Sequence, residues 1–364
     1  MTPLARRLAE QIAAHGPISV AEYMAMCLFD PEDGYYTTRE PFGAYGDFTT
    51  APEISQMFGE IVGVWLVAAW QALGRPLPAT IAEIGPGRGT LTKDLLRTIR
   101  HLAPELESGS QIALVEASPR LAEVQRQTLG EASQRISWLR TVDELPPHSL
   151  FIVGNELFDA IPIRQFVKTQ AGWRERMVGL DEAGALAFFA GMASLDDTFL
   201  PPGSADAPEG SIFEIAPARS AVMAGIAQRI AQDGGAGLFF DYGHLASGLG
   251  DTLQAVRRHT YDPTLDHPGE ADLTSHVDFE ALAREAERQG LKTAAMSQGE
   301  FLLAMGLLER ASSLGANVDE TRREEIRDEV ERLAAQDQMG ELFKVLAIAR
   351  KPPSIAPFSH VSGD

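Results

Sequence analysis

Thr80-Ile81-Ala82-Glu83-Ile84-Gly85-Pro86-Gly87-Arg88-Gly89-Thr90-Leu91 is the stretch whose reading decides the fold. A short apolar run carries an acid near its end, enters a glycine turn and passes directly into a helical pattern. Glycines there let the backbone take positive φ and approach a ligand without Cβ clashes. A dinucleotide-binding loop would place glycine or alanine three positions beyond Gly87, but Thr90 stands there and the third glycine is Gly89. A glycine turn alone also serves as a tight strand–helix connection, so its flanks carry the weight.

Working outward, apolar runs predict strands at about 80–84, 111–115, 136–139 and 149–154, with helices near 90–102 and 118–129 between them. That alternation is the pattern of a parallel sheet with right-handed crossovers. Antiparallel strands are expected over 163–200, a helix over 217–232, a core strand at Gly237–Phe240 and a late strand at Phe343–Ala349. The charged stretch 319–335 reads as a solvated helix. On the N-terminal side, Leu4, Leu8 and Ile12 share a helix face, and Ser19 with Glu22 forms a capping box. A further buried helix runs from Pro52 through Trp65 and Trp70 towards Gly74. The expected organisation is an N-terminal helical segment, 1–75, packing on a core, 76–364, with an insertion about 163–235 and a helical elaboration about 276–340.

Composition excludes several classes. The 364 residues are 45% hydrophobic and 23% charged, enough apolar content for a sizeable core. A net charge of −20 argues against nucleic acid and would suit a basic protein segment, although ordinary solubility explains it as well. Cys27 is the only cysteine, so internal disulfides and cysteine-based zinc clusters are excluded, and the eight histidines form no HExxH or HxH pair. No metal site is expected, and no apolar run reaches membrane-spanning length. The N-terminus lacks a signal-peptide apolar core, and Glu10 among the early arginines does not fit a transit peptide, so a cytoplasmic location is expected.

Glu116 ends the apparent second strand, where a carboxylate accepts hydrogen bonds from ribose hydroxyls in several nucleotide-binding enzymes, NAD enzymes among them. After the fourth strand comes Gly154-Asn155-Glu156-Leu157-Phe158-Asp159-Ala160-Ile161-Pro162. Ligands in open α/β sheets sit beyond the carboxyl ends of the strands, so Asn155, Glu156 and Asp159 are expected to face the site, with helix capping as the alternative for the two acids. GxGxG with an acid two positions before its first glycine resembles the first motif of class I methyltransferases, whose cofactor is S-adenosyl-L-methionine. This implies a Rossmann-like α/β fold, a mostly parallel sheet with helical N-terminal and α+β C-terminal elaborations. Candidate cofactor-binding residues are Glu83, Gly85, Gly87, Gly89, Glu116, Asn155, Thr49 and Thr50; candidate catalytic residues are Glu156 and Asp159. A guanidinium, with a pKa above about 12, needs carboxylates to orient it and to favour its reacting form. His276 is a further possible base, though a lone histidine is more often structural.

More specifically, the chain resembles the MidA family over nearly its whole length. The blocks are Asp30–Tyr36, Gly46-Asp47-Phe48-Thr49-Thr50-Ala51-Pro52-Glu53-Ile54-Ser55, Gly154–Pro162 and Asp241-Tyr242-Gly243, then Gly269–Phe279 and Met339–Lys344. That family includes a mitochondrial arginine methyltransferase that assists respiratory complex I assembly. The resemblance implies symmetric dimethylation of an arginine on a basic segment of a protein partner. A different methyl acceptor, or a nonenzymatic assembly factor that keeps the fold, remains open at this stage.

Overall fold

The computed structural model describes residues 1–38, 49–350 and 355–358. They form two compact units between which the chain alternates. One comprises Thr49–Leu157, Val222–Leu245 and Asp278–Asp364; the other comprises Met1–Phe48, Phe158–Ala221 and Ala246–Val277. This division departs from the expected 1–75 and 76–364 segments. The helix Gln56–Ala72 belongs with the sheet, whereas 158–221 and 246–277 return to the N-terminal helices. Linear order cannot reveal such a partition, because it depends on which distant segments bury one another.

The first unit holds the main sheet. Its strands are β1 (Ala79–Ile84), β2 (Ser110–Val115), β3 (Ile136–Leu139), β4 (Ser149–Asn155), β5 (Gly235–His244), β6 (Lys292–Ser297) and β7 (Phe343–Ala349), lying side by side as β6-β7-β5-β4-β1-β2-β3. The β5-β4, β4-β1, β1-β2 and β2-β3 ladders are parallel, and β7 is antiparallel to both β5 and β6. Buried on both faces, β1 and β7 read as continuous apolar runs broken only by Thr80, Glu83 and Lys344. Strand order reverses between β1 and β4, which puts a topological switch point at the end of β1.

The crossover helix Thr90–Leu102 packs against Gln56–Ala72 at very short range. A Cβ on Gly59 would lie 2.7 Å from Asp94 Cβ, and one on Gly63 would lie 3.0 Å from the Leu95 carbonyl oxygen. Two glycines four apart thus give the helices a groove, as small residues do wherever helices approach closely. Glu60 on the same helix accepts from both Arg97 and Arg310.

The second unit has its own core of Leu4, Leu8, Ile12, Val20, Tyr23, Met24, Val178 and Leu273, among others. The expected N-terminal helix is Pro3–His15, capped by Thr2, and the Ser19–Glu22 capping box opens Val20–Phe29. The stretch read as antiparallel strands is Arg164–Thr169, Gly172–Leu180 and Leu186–Ser194. A small three-stranded sheet over Gln254–Arg257, Thr260–Asp262 and Asp272–Thr274 has no counterpart in the sequence reading, because its strands are too short to show a period. Among the described residues no helix is long and apolar enough to cross a membrane.

Candidate functional site

At the end of β1 the glycine loop takes the left-handed conformations its composition suggests, with φ of 65° at Gly85, 51° at Gly87 and 86° at Gly89. The Gly85 N–H donates to the Val115 carbonyl (3.1 Å), tying the loop to the end of β2. The Gly89 N–H donates to the Pro86 carbonyl (2.7 Å), closing the turn, and Gly89 is the residue from which the helix Thr90–Leu102 starts. A Cβ on Gly85 would sit 2.9 Å from Leu157 Cδ1. The loop therefore passes directly beside the turn that follows β4.

Glu83, expected among the cofactor ligands, lies beneath the loop at 3% exposure, and its carboxylate accepts from the Thr92 hydroxyl in the first turn of the helix. Burial pushes its pKa up to about 8; the Thr92 bonds oppose the rise and the nearby Glu116 charge adds to it. Between the ordinary carboxyl value of 4.5 and about 8, the folded chain keeps a proton that the unfolded chain releases. Glu83 thus makes stability fall as pH rises across that window, with a slope of at most about 1.4 kcal/mol for each step of one in pH. Glu83→Gln should flatten that part of the stability–pH curve, as read by urea melts at intervals from pH 5 to 8; an unchanged slope would refute the assignment.

Glu116 stands at the end of β2, where its backbone N–H donates to the Leu139 carbonyl (2.8 Å). Its carboxylate accepts from the Ser118 N–H (2.7 Å) and from Gln125 Nε2 (3.0 Å), and burial holds its pKa above the usual range. Gln125 is fully buried and was not anticipated. Its Nε2 also donates to the Gly87 carbonyl (2.9 Å), while its Oε1 accepts from Trp138 Nε1 (2.9 Å). One amide therefore joins the glycine loop, the Glu116 carboxylate and β3. The signal was present in the sequence: Leu121, Gln125 and Leu129 share a face of the helix Pro119–Leu129, so a polar residue occupies an apolar stripe. Gln125→Leu should weaken cofactor affinity roughly 10–100-fold, since the Gly87 carbonyl, the Glu116 carboxylate and Trp138 Nε1 each lose a hydrogen bond, at a cost of about 1–3 kcal/mol for a buried group left unsatisfied. Calorimetric titration with S-adenosyl-homocysteine tests this, and unaltered affinity would exclude the role.

Beyond β4, Asn155 is 8% exposed, and its Oδ1 is buried with no hydrogen-bond partner among the described residues. Its Nδ2 donates to Glu156 Oε1 (3.1 Å). Glu156 has φ of 51°, a left-handed backbone that a long side chain seldom adopts, and its N–H donates to the Phe240 carbonyl (2.9 Å). Ile84 pairs with Gly154 and Phe240 with Asn155, so the glycine loop, Asn155 and Glu156 share the carboxyl edge of neighbouring strands. Asp159 falls in the other unit and is buried at 6% exposure. No helix follows it directly, so the capping alternative for Asp159 and Glu156 does not apply.

Thr49 and Thr50 are half-buried, and Thr50 precedes the short helix Ala51–Ile54 without a side-chain cap bond. Gly46, Asp47 and Phe48 of the same block lie outside the described residues. Glu53 accepts from the Thr90 hydroxyl, joining this block to the glycine loop. The His276 N–H donates to Thr252 Oγ1 (3.0 Å). The next helix is capped by Asp278, not by Thr274 or Ser275.

These residues fit the expected cofactor. Three left-handed glycines turn the backbone at the switch point, a strand-tip carboxylate is available to ribose, and Asn155 offers a buried acceptor. The strand order, with its glycine crossover at the switch point, defines a class I methyltransferase fold. Comparison with known proteins makes the assignment more specific. Residues 61–297 match the family described as "Putative S-adenosyl-L-methionine-dependent methyltransferase", and the chain belongs to that family. It is 36% identical over 366 residues to the protein arginine methyltransferase NDUFAF7, mitochondrial, of Danio rerio, covering 94% of this chain and 86% of that protein. Its Homo sapiens counterpart is 34% identical over 376 residues, covering 96% and 83%. A Burkholderia thailandensis protein, solved in crystals bound to S-adenosyl-homocysteine, superposes with a TM-score of 0.83 at 32% identity, covering 95% of this chain and 92% of that one. The chain is a methyltransferase, and its cofactor is S-adenosyl-L-methionine.

The cytoplasmic expectation is overturned, because these curated relatives, the Drosophila melanogaster homologue included, are mitochondrial proteins. A low cysteine count separates reducing from oxidising surroundings; it does not separate the cytoplasm from other reducing compartments.

Proposed function

We propose that this chain is a protein-arginine methyltransferase that symmetrically dimethylates an arginine in a basic segment of a protein partner, in the service of respiratory complex assembly. Glu156 carries the reading: a carboxylate held in an unfavourable left-handed conformation, at the strand end beside the glycine loop, is a feature the fold alone has no reason to keep. The relatives' names support the acceptor, and the net charge of −20 suits a cationic partner. On this reading the mostly parallel core carries helical N-terminal and α+β C-terminal elaborations around one chemistry.

The cofactor, when bound, would supply a methyl group already activated on a sulfonium. The backbone of Gly85, Gly87 and Gly89 would hold its amino-acid end, Glu116 would accept from the ribose hydroxyls, and Asn155, Thr49 and Thr50 would supply further polar contacts. Glu156 would accept hydrogen bonds from the guanidinium N–H groups and orient the attacking nitrogen, and Asp159 is assigned a second orienting role. On methylation the N–H proton displaced from the guanidinium would go to the Glu156 carboxylate, so that the product keeps a single positive charge. Positioning and water exclusion supply most of the acceleration.

Incubation with isotope-labelled S-adenosyl-L-methionine and mitochondrial extract, followed by mass spectrometry of labelled peptides, tests the acceptor. Label on arginine is expected; label only on lysine or on a small metabolite would overturn it.

A further inference from the structure

A single buried guanidinium joins two of the segments that the sequence singles out. Arg219 is 2% exposed, and its hydrogen bonds to Asp159, Ile161, Ser275 and His276 all lie within one compact unit. Its Nε donates to the Ile161 carbonyl (3.1 Å) and one Nη to the His276 carbonyl (2.8 Å). The other Nη donates to the Asp159 carbonyl (3.0 Å) and to the hydroxyl and carbonyl of Ser275. The two segments also meet directly, since the Ser275 N–H donates to the Asp159 carbonyl (3.2 Å).

The position is a poor one for a cation on local grounds. Arg219 lies in the first turn of the helix Pro217–Asp233, where the positive end of the helix dipole disfavours positive charge. Burying a guanidinium is also costly, and an apolar residue of similar volume often packs as well or better. A residue that breaks a local rule and a burial rule together is serving something other than stability. Its planar fork of donors reaches carbonyls on two separate segments at once, a geometry that the point charge of lysine cannot reproduce.

We propose that Arg219 is a positioning residue for methyl transfer, its fork locking the Phe158–Pro162 turn to the Thr274–His276 segment so that Asp159 is held in place for the acceptor. This rests on the role assigned to Asp159 above. Arg219 acts through the backbone of these segments, and cofactor binding, which uses other residues, should not depend on it.

Arg219→Lys and the milder Ser275→Ala separate the possibilities. Hydrogen exchange on the full chain should quicken at least about tenfold for amides in 158–163 and 273–277, with little change in the main sheet. The melting-temperature rise given by S-adenosyl-homocysteine should persist, while kcat for transfer falls roughly 10–100-fold in Arg219→Lys and less in Ser275→Ala. Local exchange that is unchanged in both variants would overturn the proposal. So would a uniform loss of protection in which cofactor binding and transfer decline together, since that is what a merely structural residue would give. The exchange readout does not depend on the acceptor's identity. Label on a non-arginine acceptor, with both segments loosened in the variants, would remove the arginine assignment and leave the clamp standing.

Discussion

Gly85→Val is expected to abolish the response of this protein to its cofactor. Wild-type protein in S-adenosyl-homocysteine at a hundred times its dissociation constant should gain about 2.7 kcal/mol of stability, visible as a higher melting temperature. In the variant that rise should vanish. The first added carbon would lie 2.9 Å from Leu157 Cδ1, and a β-branched residue would have to adopt φ of 65°. The two strains together should also cost about 2–4 kcal/mol of intrinsic stability. Gly130→Ala is the matched control: it has φ of 55°, but nothing lies within 4 Å of the added carbon. It should lose stability from backbone strain and still respond in full. Paired melts with and without S-adenosyl-homocysteine decide the matter, and a preserved rise in Gly85→Val would remove the glycine loop from the binding site.

Glu156→Gly should separate stability from activity in the opposite sense. Relief of the left-handed backbone at φ of 51° offsets the extra flexibility of the unfolded chain, so stability should hold or improve by up to about 1 kcal/mol. Transfer should nevertheless fall at least about 100-fold, because the carboxylate that takes the proton is gone. Glu156→Gln should lose a comparable factor without the gain in stability, and neither change should abolish S-adenosyl-homocysteine binding. Single-turnover transfer with isothermal titration on the same preparations measures both quantities. Activity within threefold of wild type in Glu156→Gln would remove this carboxylate from the chemistry.

Much of the main unit was legible in residue order. The expected strands at 80–84, 111–115, 136–139 and 149–154 correspond to β1 through β4 to within a residue or so at each end, and the late strand at Phe343–Ala349 is β7. Except for the partly exposed edge strand β3, these are largely buried strands with apolar runs, so their signal is local. The helix expected near 118–129 is the helix Pro119–Leu129, which ends at Gly130 with positive φ. What failed was short or conditional. The strands at 254–274 span three or four residues and exist through pairing with one another. The short β6 (Lys292–Ser297) went unrecognised because its period is visible only once β7 lies beside it.

Residue order by itself determined the glycine crossover, the acid at the tip of β2 and the sequence of strands and helices around them. Each depends on backbone conformations or burial patterns that a few neighbouring residues dictate. Tertiary structure alone decided that Gln125 joins Gly87 to Glu116, that Glu83 lies buried against Thr92, that Glu156 is left-handed, and that Arg219 clamps two segments, each more than fifty residues from it along the chain. The physical reason is the same in each case. A polar group inside a protein must find its partners wherever packing has placed them, and those partners come from parts of the chain that no local pattern connects.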